Sequence, residues 1–140
     1  MVGIVVATHG RLAEELIRTA EIICGKLERC QAVSLGGAAS ELDDERARFA
    51  EAIHSVDDGD GVIVLTDMFG GSPANLALTF LDDRLEVLTG VNLPMLVKLS
   101  TCRASGAGLR ETAQMLTAHG QKNIALASEI LRTRARTGRA

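Results

Sequence analysis

Short apolar runs alternate with amphipathic stretches along the 140-residue chain. The runs at 4–7 and 62–65 are continuous and rich in β-branched residues, which is typical of strands buried on both faces of a sheet. Shorter runs at 31–35 and 85–89 predict two further strands, and the run at 124–126 predicts a weak final strand.

Between these runs, apolar residues recur every three to four positions, as they do on one face of an α-helix. This spacing predicts helices over 12–23, 42–56 and 109–119, and a further helix that opens at 92–94. Ser40 is expected to cap the second of these helices, since its hydroxyl can accept a backbone N–H.

A serine followed by a proline marks the start of the helix after the central strand. Ser72 is expected at the N-cap and Pro73 at the first helical position, and the apolar spacing carries this helix to Leu81. The order of elements is then β-α-β-α-β-α-β-α-α-β. It predicts the α/β class, with an open, mostly parallel β-sheet and helices on both faces, in a single domain.

The composition argues against two classes of protein, disordered proteins and nucleic-acid-binding proteins. The chain has 15 Lys and Arg against 18 Asp and Glu, a net charge of −3, and 2% aromatic residues with no Trp or Tyr. A hydrophobic content of 46% excludes general disorder. We expect no nucleic-acid binding, because that function calls for a basic face and usually for stacking rings.

The cysteines and the N-terminal residues indicate the cellular compartment of the protein. Three cysteines form no Cys-x-x-Cys pair, so we expect neither a disulfide framework nor a zinc knuckle. The N-terminus has no basic region followed by a long apolar segment, and no run approaches the roughly 20 residues that span a bilayer. These features predict a cytoplasmic protein with reduced thiols.

Three loops follow predicted strands at the edge of the sheet where α/β proteins bind their ligands; they are 8–10, 36–40 and 67–72. If the first and third strands are neighbours, His9 and Asp67 emerge side by side. A carboxylate that accepts the N–H of one imidazole nitrogen leaves a free lone pair on the other. This pairing suits a nucleophile or a base.

The run Gly70-Gly71-Ser72 adds an anion-binding pattern next to Asp67. Glycines let backbone N–H groups approach an anion, and the helix that follows points its positive end at the loop. The loop has no lysine, so it is not a nucleotide-binding P-loop, and no Gly-x-Gly-x-x-Gly follows a strand. We therefore expect no nucleotide cofactor.

Three reaction classes can use these residues. The first is phosphoryl carriage on His9. The second is a serine hydrolase with Ser72 as nucleophile, although Asp67 rather than Ser72 follows the strand, and Ala74 replaces the last glycine of Gly-x-Ser-x-Gly. The third is a metal site, which ranks last because His9, Asp67 and a thiol lack recognisable ligand spacing.

Three blocks of sequence carry a resemblance to a known family. They are Gly3-Ile4-Val5-Val6-Ala7-Thr8-His9-Gly10, Thr66-Asp67-Met68-Phe69-Gly70-Gly71-Ser72-Pro73-Ala74-Asn75, and Thr89-Gly90-Val91-Asn92-Leu93-Pro94-Met95-Leu96. In this order they resemble the IIA component of the mannose family of the bacterial phosphoenolpyruvate-dependent sugar phosphotransferase system (PTS). The resemblance covers residues 1–127, and 128–140 are expected to form a basic C-terminal tail with four arginines.

The resemblance implies a phosphotransferase that carries a phosphoryl group. His9 matches the histidine that accepts this group from the carrier HPr and passes it to a IIB component. Asp67 matches the aspartate that orients the histidine, and Ser72 with the Gly71 backbone matches the loop that faces the phosphoryl group. Transfer between protein side chains implies no metal and no cofactor, and contact with the membrane only through a permease complex.

The family fold also implies a homodimer that exchanges a C-terminal strand, for which residues 123–127 are the candidates. Phe69 stands where many members have Trp, which keeps an apolar wall beside the site. Many members continue through a linker into a IIB domain, and neither follows in this sequence. We therefore expect either a separate IIB component as acceptor, or a regulatory binding module that signals phosphorylation state without sugar transport.

Overall fold

The computed structural model describes residues 1–36 and 42–137. Its four strands are β1 (Gly3–His9), β2 (Cys30–Leu35), β3 (Val62–Thr66) and β4 (Leu85–Thr89). Its helices are α1 (Leu12–Cys24), α2 (Leu42–Val56), α3 (Ser72–Leu78), α4 (Leu93–Cys102), α5 (Leu109–Lys122) and α6 (Ala127–Thr137), with a 3₁₀ turn at Arg103–Ser105. None of these helices is long and apolar enough to cross a bilayer.

The four strands form one parallel sheet in the order β2-β1-β3-β4. The chain leaves β1 toward β2 on one side and later returns to add β3 on the other, so β1 and β3 flank the topological switch point. Ala7 pairs with Thr66 across that junction, and His9 pairs with Leu35 of β2. The predicted α/β class and the predicted neighbourhood of the first and third strands are confirmed.

Alternate residues of β1 enter two separate cores, which explains why the run at 4–7 is continuously apolar. Ile4 and Val6 pack with α1, α4 and α5 on one face of the sheet. Val5 and Ala7 pack on the other face against α2 and α3. All four residues are fully buried. Helices therefore cover both faces, as expected for a parallel sheet.

The start and end of α3 differ from the prediction. Gly71, not Ser72, is the N-cap residue, and Ser72 is the first helical residue. The helix also ends at Leu78 rather than at Leu81. Beyond that point the backbone N–H of Leu81 bonds to the carbonyl of Leu78, so the chain tightens into successive i→i+3 turns instead of continuing the α-helix.

Helix α5 runs past Gly120 to Lys122, whereas the spacing predicted an end at His119. Gly120 lies inside the helix because its missing side chain lets α5 approach α4. A Cβ atom at Gly120 would lie 2.9 Å from Cγ of Met95. Asn92 ties the two helices further, since its Nδ2 donates to the carbonyl of Gly120 over 3.0 Å.

The predicted final strand at 124–126 is absent from the sheet of this chain. Ile124 is 76% exposed and Leu126 64% exposed, and the sheet contains only β1 to β4 in the described ranges. A short apolar segment needs a neighbouring strand to complete its hydrogen bonds, and this segment lies beyond α5, away from the sheet. Its exchange into a second copy stays a prediction.

The predicted basic tail is helical through Thr137, where it forms the fully exposed helix α6. The predicted cap of α2, Ser40, and the rest of the 37–41 segment lie outside the described residues.

Candidate functional site

The carboxyl ends of three strands bring the candidate residues to one place. His9 is the last residue of β1, Asp67 follows β3 directly, and Gly36 follows β2. Because the strands are parallel, these positions share one edge of the sheet at the switch point. The structure thus joins the predicted His9 and Asp67 and adds Gly36 to them.

Asp67 holds both the ring and the backbone of His9. The Nδ1 atom of His9 lies 2.7 Å from Oδ2 of Asp67, and the backbone N–H of His9 donates to the same oxygen over 3.1 Å. The other oxygen, Oδ1, accepts the backbone N–H of Met68 over 3.1 Å. The carboxylate is 14% exposed and the His9 side chain 45% exposed, so the imidazole is reachable while its partner is sheltered.

The ionisation of Asp67 decides which ring nitrogen is free. Burial acts to raise the pKa of Asp67, but the hydrogen bonds from the ring and backbone of His9 outweigh it and lower the pKa below its usual value. The ionised carboxylate can only accept hydrogen bonds, so in the neutral imidazole Nδ1 carries the hydrogen. Nε2 then presents an unshared lone pair.

Gly71 lies directly against the reactive edge of the imidazole. A Cβ atom at Gly71 would lie 2.8 Å from Cε1 of His9 and 3.4 Å from Nε2. The positive φ of 84° at Gly70 turns the chain so that the Gly71 backbone passes this close. The glycine predicted as a phosphoryl-binding residue is therefore the one whose missing side chain leaves room at Nε2.

Gly36 borders the opposite edge of the ring. A Cβ atom there would lie 3.7 Å from Cδ2 of His9. Since Nε2 stands between Cε1 and Cδ2 in the imidazole, its lone pair opens between the turns at Gly71 and Gly36. The arrangement presents one nitrogen nucleophile in a slot with glycine on both sides.

A supporting residue that the sequence analysis did not single out is Thr8. Its hydroxyl is fully buried and accepts the backbone N–H of Ala13 over 2.7 Å. Arg11, the N-cap residue of α1, makes no such side-chain bond. Thr8 therefore fixes the start of α1 and the short turn after His9. A hydroxyl at the end of a buried strand, just before a helix, was the available signal.

Ser72, the remaining side chain predicted for the site, is not hydrogen-bonded to His9. Ser72 is exposed at the first position of α3. No hydrogen bond joins its hydroxyl to His9, so the pair that a serine hydrolase needs is not formed. The other two histidines of the chain lie elsewhere: His54 is exposed near the end of α2, and His119 lies in the last turn of α5.

Metal ligation has no support in residues 1–36 and 42–137, where no three His, Cys, Asp or Glu side chains are grouped to hold an ion. Cys30 is poorly suited to nucleophilic chemistry, because burial raises the pKa of its thiol to about 12.

Comparisons with known proteins all indicate the same family. The EIIA-man model, described as the PTS system fructose IIA component, matches residues 3–117. The chain is 32% identical over 127 residues to the PTS mannose-specific EIIAB component of Escherichia coli K12, and it covers 38% of that longer protein. That alignment includes 88% of this chain. The chain is also 28% identical over 135 residues to the PTS fructose-specific EIIA component of Bacillus subtilis, covering 94% of this chain and 90% of that protein.

A solved structure agrees in fold. The PTS IIA protein associated with the fucose utilization operon of Streptococcus pneumoniae superposes with a TM-score of 0.80 at 31% identity, over 94% of this chain and 99% of that one. The family match spans β1, β3 and the loops that place His9 and Asp67. The chain therefore belongs to the mannose family of PTS IIA components.

Proposed function

We propose that this protein carries a phosphoryl group on Nε2 of His9, taking it from phosphorylated HPr and passing it to a IIB component. The observation that carries the proposal is the 2.7 Å contact between Nδ1 of His9 and Asp67. It ties up one ring nitrogen and leaves the other free at an exposed edge of the sheet. Membership in the PTS IIA family supports phosphoryl transfer as the general activity.

The transfer itself is a displacement at phosphorus. The lone pair of Nε2 forms the new N–P bond while the N–P bond to the histidine of the donor breaks, and the electron pair of that bond returns to the donor ring. The forming bond places positive charge on the imidazole of His9, and the carboxylate of Asp67 stabilises that charge. Gly71 leaves space for the group at Nε2, and Ser72 is the first residue of the helix that follows it.

The surroundings of His9 suit a protein partner rather than a small molecule. Met68 is 57% exposed and Phe69 is 76% exposed, both in the loop that follows β3. Large apolar side chains held in water are typical of protein-binding surfaces. The Escherichia coli relative is named as an EIIAB component, which supports a IIB partner as the acceptor.

We further propose a homodimer in which residues 123–127 of each copy pair with β4 of the other. β4 is an edge strand, and an open groove of about 540 Å³ lies between it and α5. Ile124 and Leu126 are exposed in the single chain. The double substitution Ile124→Asp with Leu126→Asp should lower the mass in light scattering from dimer to monomer. Ile22→Asp, at an exposed apolar position of α1, should stay dimeric.

Phosphorylation is tested by incubating the protein with enzyme I, HPr and phosphoenolpyruvate and measuring its intact mass. The wild type should gain one phosphoryl group that is labile to acid and stable to base. His9→Ala should gain none, while His54→Ala and His119→Ala should label like the wild type. Labelling that survives His9→Ala would refute the assignment.

The acceptor is tested by adding a IIB component to the phosphorylated protein. Rapid loss of the group to IIB supports a role in sugar transport. A partner that binds only the phosphorylated form and leaves the group in place would point to the regulatory role instead. His9→Ala, which cannot be phosphorylated in this account, serves as the control for both outcomes.

A further inference from the structure

Gly36, the residue that follows β2, is held by a side chain of α2. The backbone N–H of Gly36 donates to Oε2 of Glu45 over 2.8 Å. Gly36 has a φ of 79°, which favours glycine at this position, and it lies one residue past the ladder that ends at Leu35. Glu45 supplies the hydrogen-bond partner that this N–H would otherwise lack.

Glu45 differs from the other acidic residues in the first turn of α2. Asp43, Asp44 and Glu45 all lie there, where negative charge favours the helix N-terminus. Asp43 and Asp44 are exposed, whereas Glu45 is half-buried against the turn. The helix dipole explains all three charges, but the contact with Gly36 distinguishes Glu45.

The ring of His9 has a neighbour on each side. Asp67 bonds to Nδ1, Gly71 borders Cε1, and Gly36 borders Cδ2. The bond to Asp67 alone leaves the ring able to tilt about the Nδ1 contact. Gly71 and Gly36 limit that tilt from the two sides of the ring, and Gly36 is held by a side chain of another element, Glu45.

We infer that Glu45 is a positioning residue for His9: by holding Gly36, it keeps this residue beside the imidazole and keeps Nε2 aimed between Gly71 and Gly36. The inference rests on the proposed phosphorylation of His9 for its effect on rate. The effect of Glu45 on the position of the ring does not depend on any reaction. Position matters because small displacements of a nucleophile slow a displacement reaction strongly.

Glu45 could affect phosphorylation through its charge or through the position of His9. The two explanations predict opposite changes in rate when Glu45 is replaced. Glu45 places a negative charge near a site that receives a negatively charged group. If charge were its main effect, removing it would speed phosphorylation. If position is its main effect, Glu45→Ala slows phosphorylation, and Glu45→Gln, which keeps an acceptor oxygen, does not.

The experiment compares Glu45→Ala and Glu45→Gln with Asp44→Ala, which removes the same charge from the same helical turn. Phosphorylation rates are measured at saturating phosphorylated HPr, and thermal melts confirm that each variant is folded. We expect Glu45→Ala to be about fivefold slower than Asp44→Ala, the effect of losing about one hydrogen bond. Glu45→Gln should stay within about twofold of the wild type.

A second readout uses nitrogen-15 NMR of the unphosphorylated protein. The ring nitrogens of His9 and the amide of Gly36 should shift or broaden in Glu45→Ala and stay close to wild type in Asp44→Ala. If no variant is phosphorylated by HPr, the proposed function fails while these spectra still decide the positioning role. Glu45→Ala with wild-type ring signals and the rate of Asp44→Ala would overturn the inference, as would Glu45→Gln as slow as Glu45→Ala.

Discussion

A methyl group at Gly71 should disable the site while leaving the fold intact. In Gly71→Ala the new Cβ would lie 2.8 Å from Cε1 of His9 and 3.3 Å from Cγ of Met68. The backbone of Gly71 is extended, with φ −79° and ψ 167°, which alanine adopts without strain. The effect of the substitution on the site therefore comes from the contacts of the new methyl group with the His9 ring and with Met68.

The size of the effect follows from that contact. Carbon atoms in ordinary contact are about 3.5–4.0 Å apart, so the ring and the loop must separate by about 1 Å. A displacement of about 1 Å at the reacting atoms slows a reaction by on the order of 10²-fold. The free energy of unfolding should change by less than about 1 kcal/mol, because the His9 side chain is 45% exposed and can move outward.

Gly108→Ala is the matched control for this substitution. Gly108 is the N-cap residue of α5, with φ −73° and ψ 178°, and a Cβ there would meet no atom within 4 Å. Any cost of alanine at an N-cap is therefore common to both variants. The assay is the rate of phosphorylation by HPr, with urea unfolding measured alongside. Equal rates for Gly71→Ala and Gly108→Ala would refute the idea that the glycine makes room at Nε2.

Three further predictions concern other parts of the molecule. Asp67→Asn should slow phosphorylation by about 10²-fold in the same assay. Because the folded pKa of Asp67 is lowered, its stabilising contribution is present above the ordinary Asp pKa of about 4 and disappears as pH falls, so urea unfolding of wild type and Asp67→Asn should converge in acid. Gly120→Ala should destabilise the fold by about 1–3 kcal/mol in urea, since its Cβ overlaps Met95. Cys30 should resist alkylation at pH about 8 until the protein unfolds, because burial raises its pKa to about 12.

The four strands of the sheet and the joining of His9 with Asp67 were predictable because their signals are local, whereas the fifth predicted strand, at 124–126, is absent from the sheet. Continuous β-branched runs such as 62–65 have few alternatives to a buried parallel strand. Once the first and third strands are neighbours, the residues that follow them must meet at one edge of the sheet. The first helix was predicted within one residue of its observed end at Cys24 for a similar reason, its regular apolar spacing.

The errors arise where backbone geometry or a contact with another element overrides the local sequence preference. Gly120 suggests a helix end, yet Met95 packs against it and α5 continues. Ser72 is a favourable N-cap residue, but the extended backbone of Gly71 takes that position. The bond between Glu45 and Gly36 joins residues nine apart across a turn, and no pattern in the sequence marks it.

The most direct test of the account is to identify the nitrogen of His9 that carries the phosphoryl group. Nitrogen-15 NMR of the phosphorylated protein distinguishes a phosphoryl group on Nε2 from one on Nδ1. We predict phosphorylation at Nε2, with Nδ1 protonated and still bonded to Asp67. Phosphorylation at Nδ1 would contradict it, because that nitrogen lies 2.7 Å from Asp67 and has no room for the group.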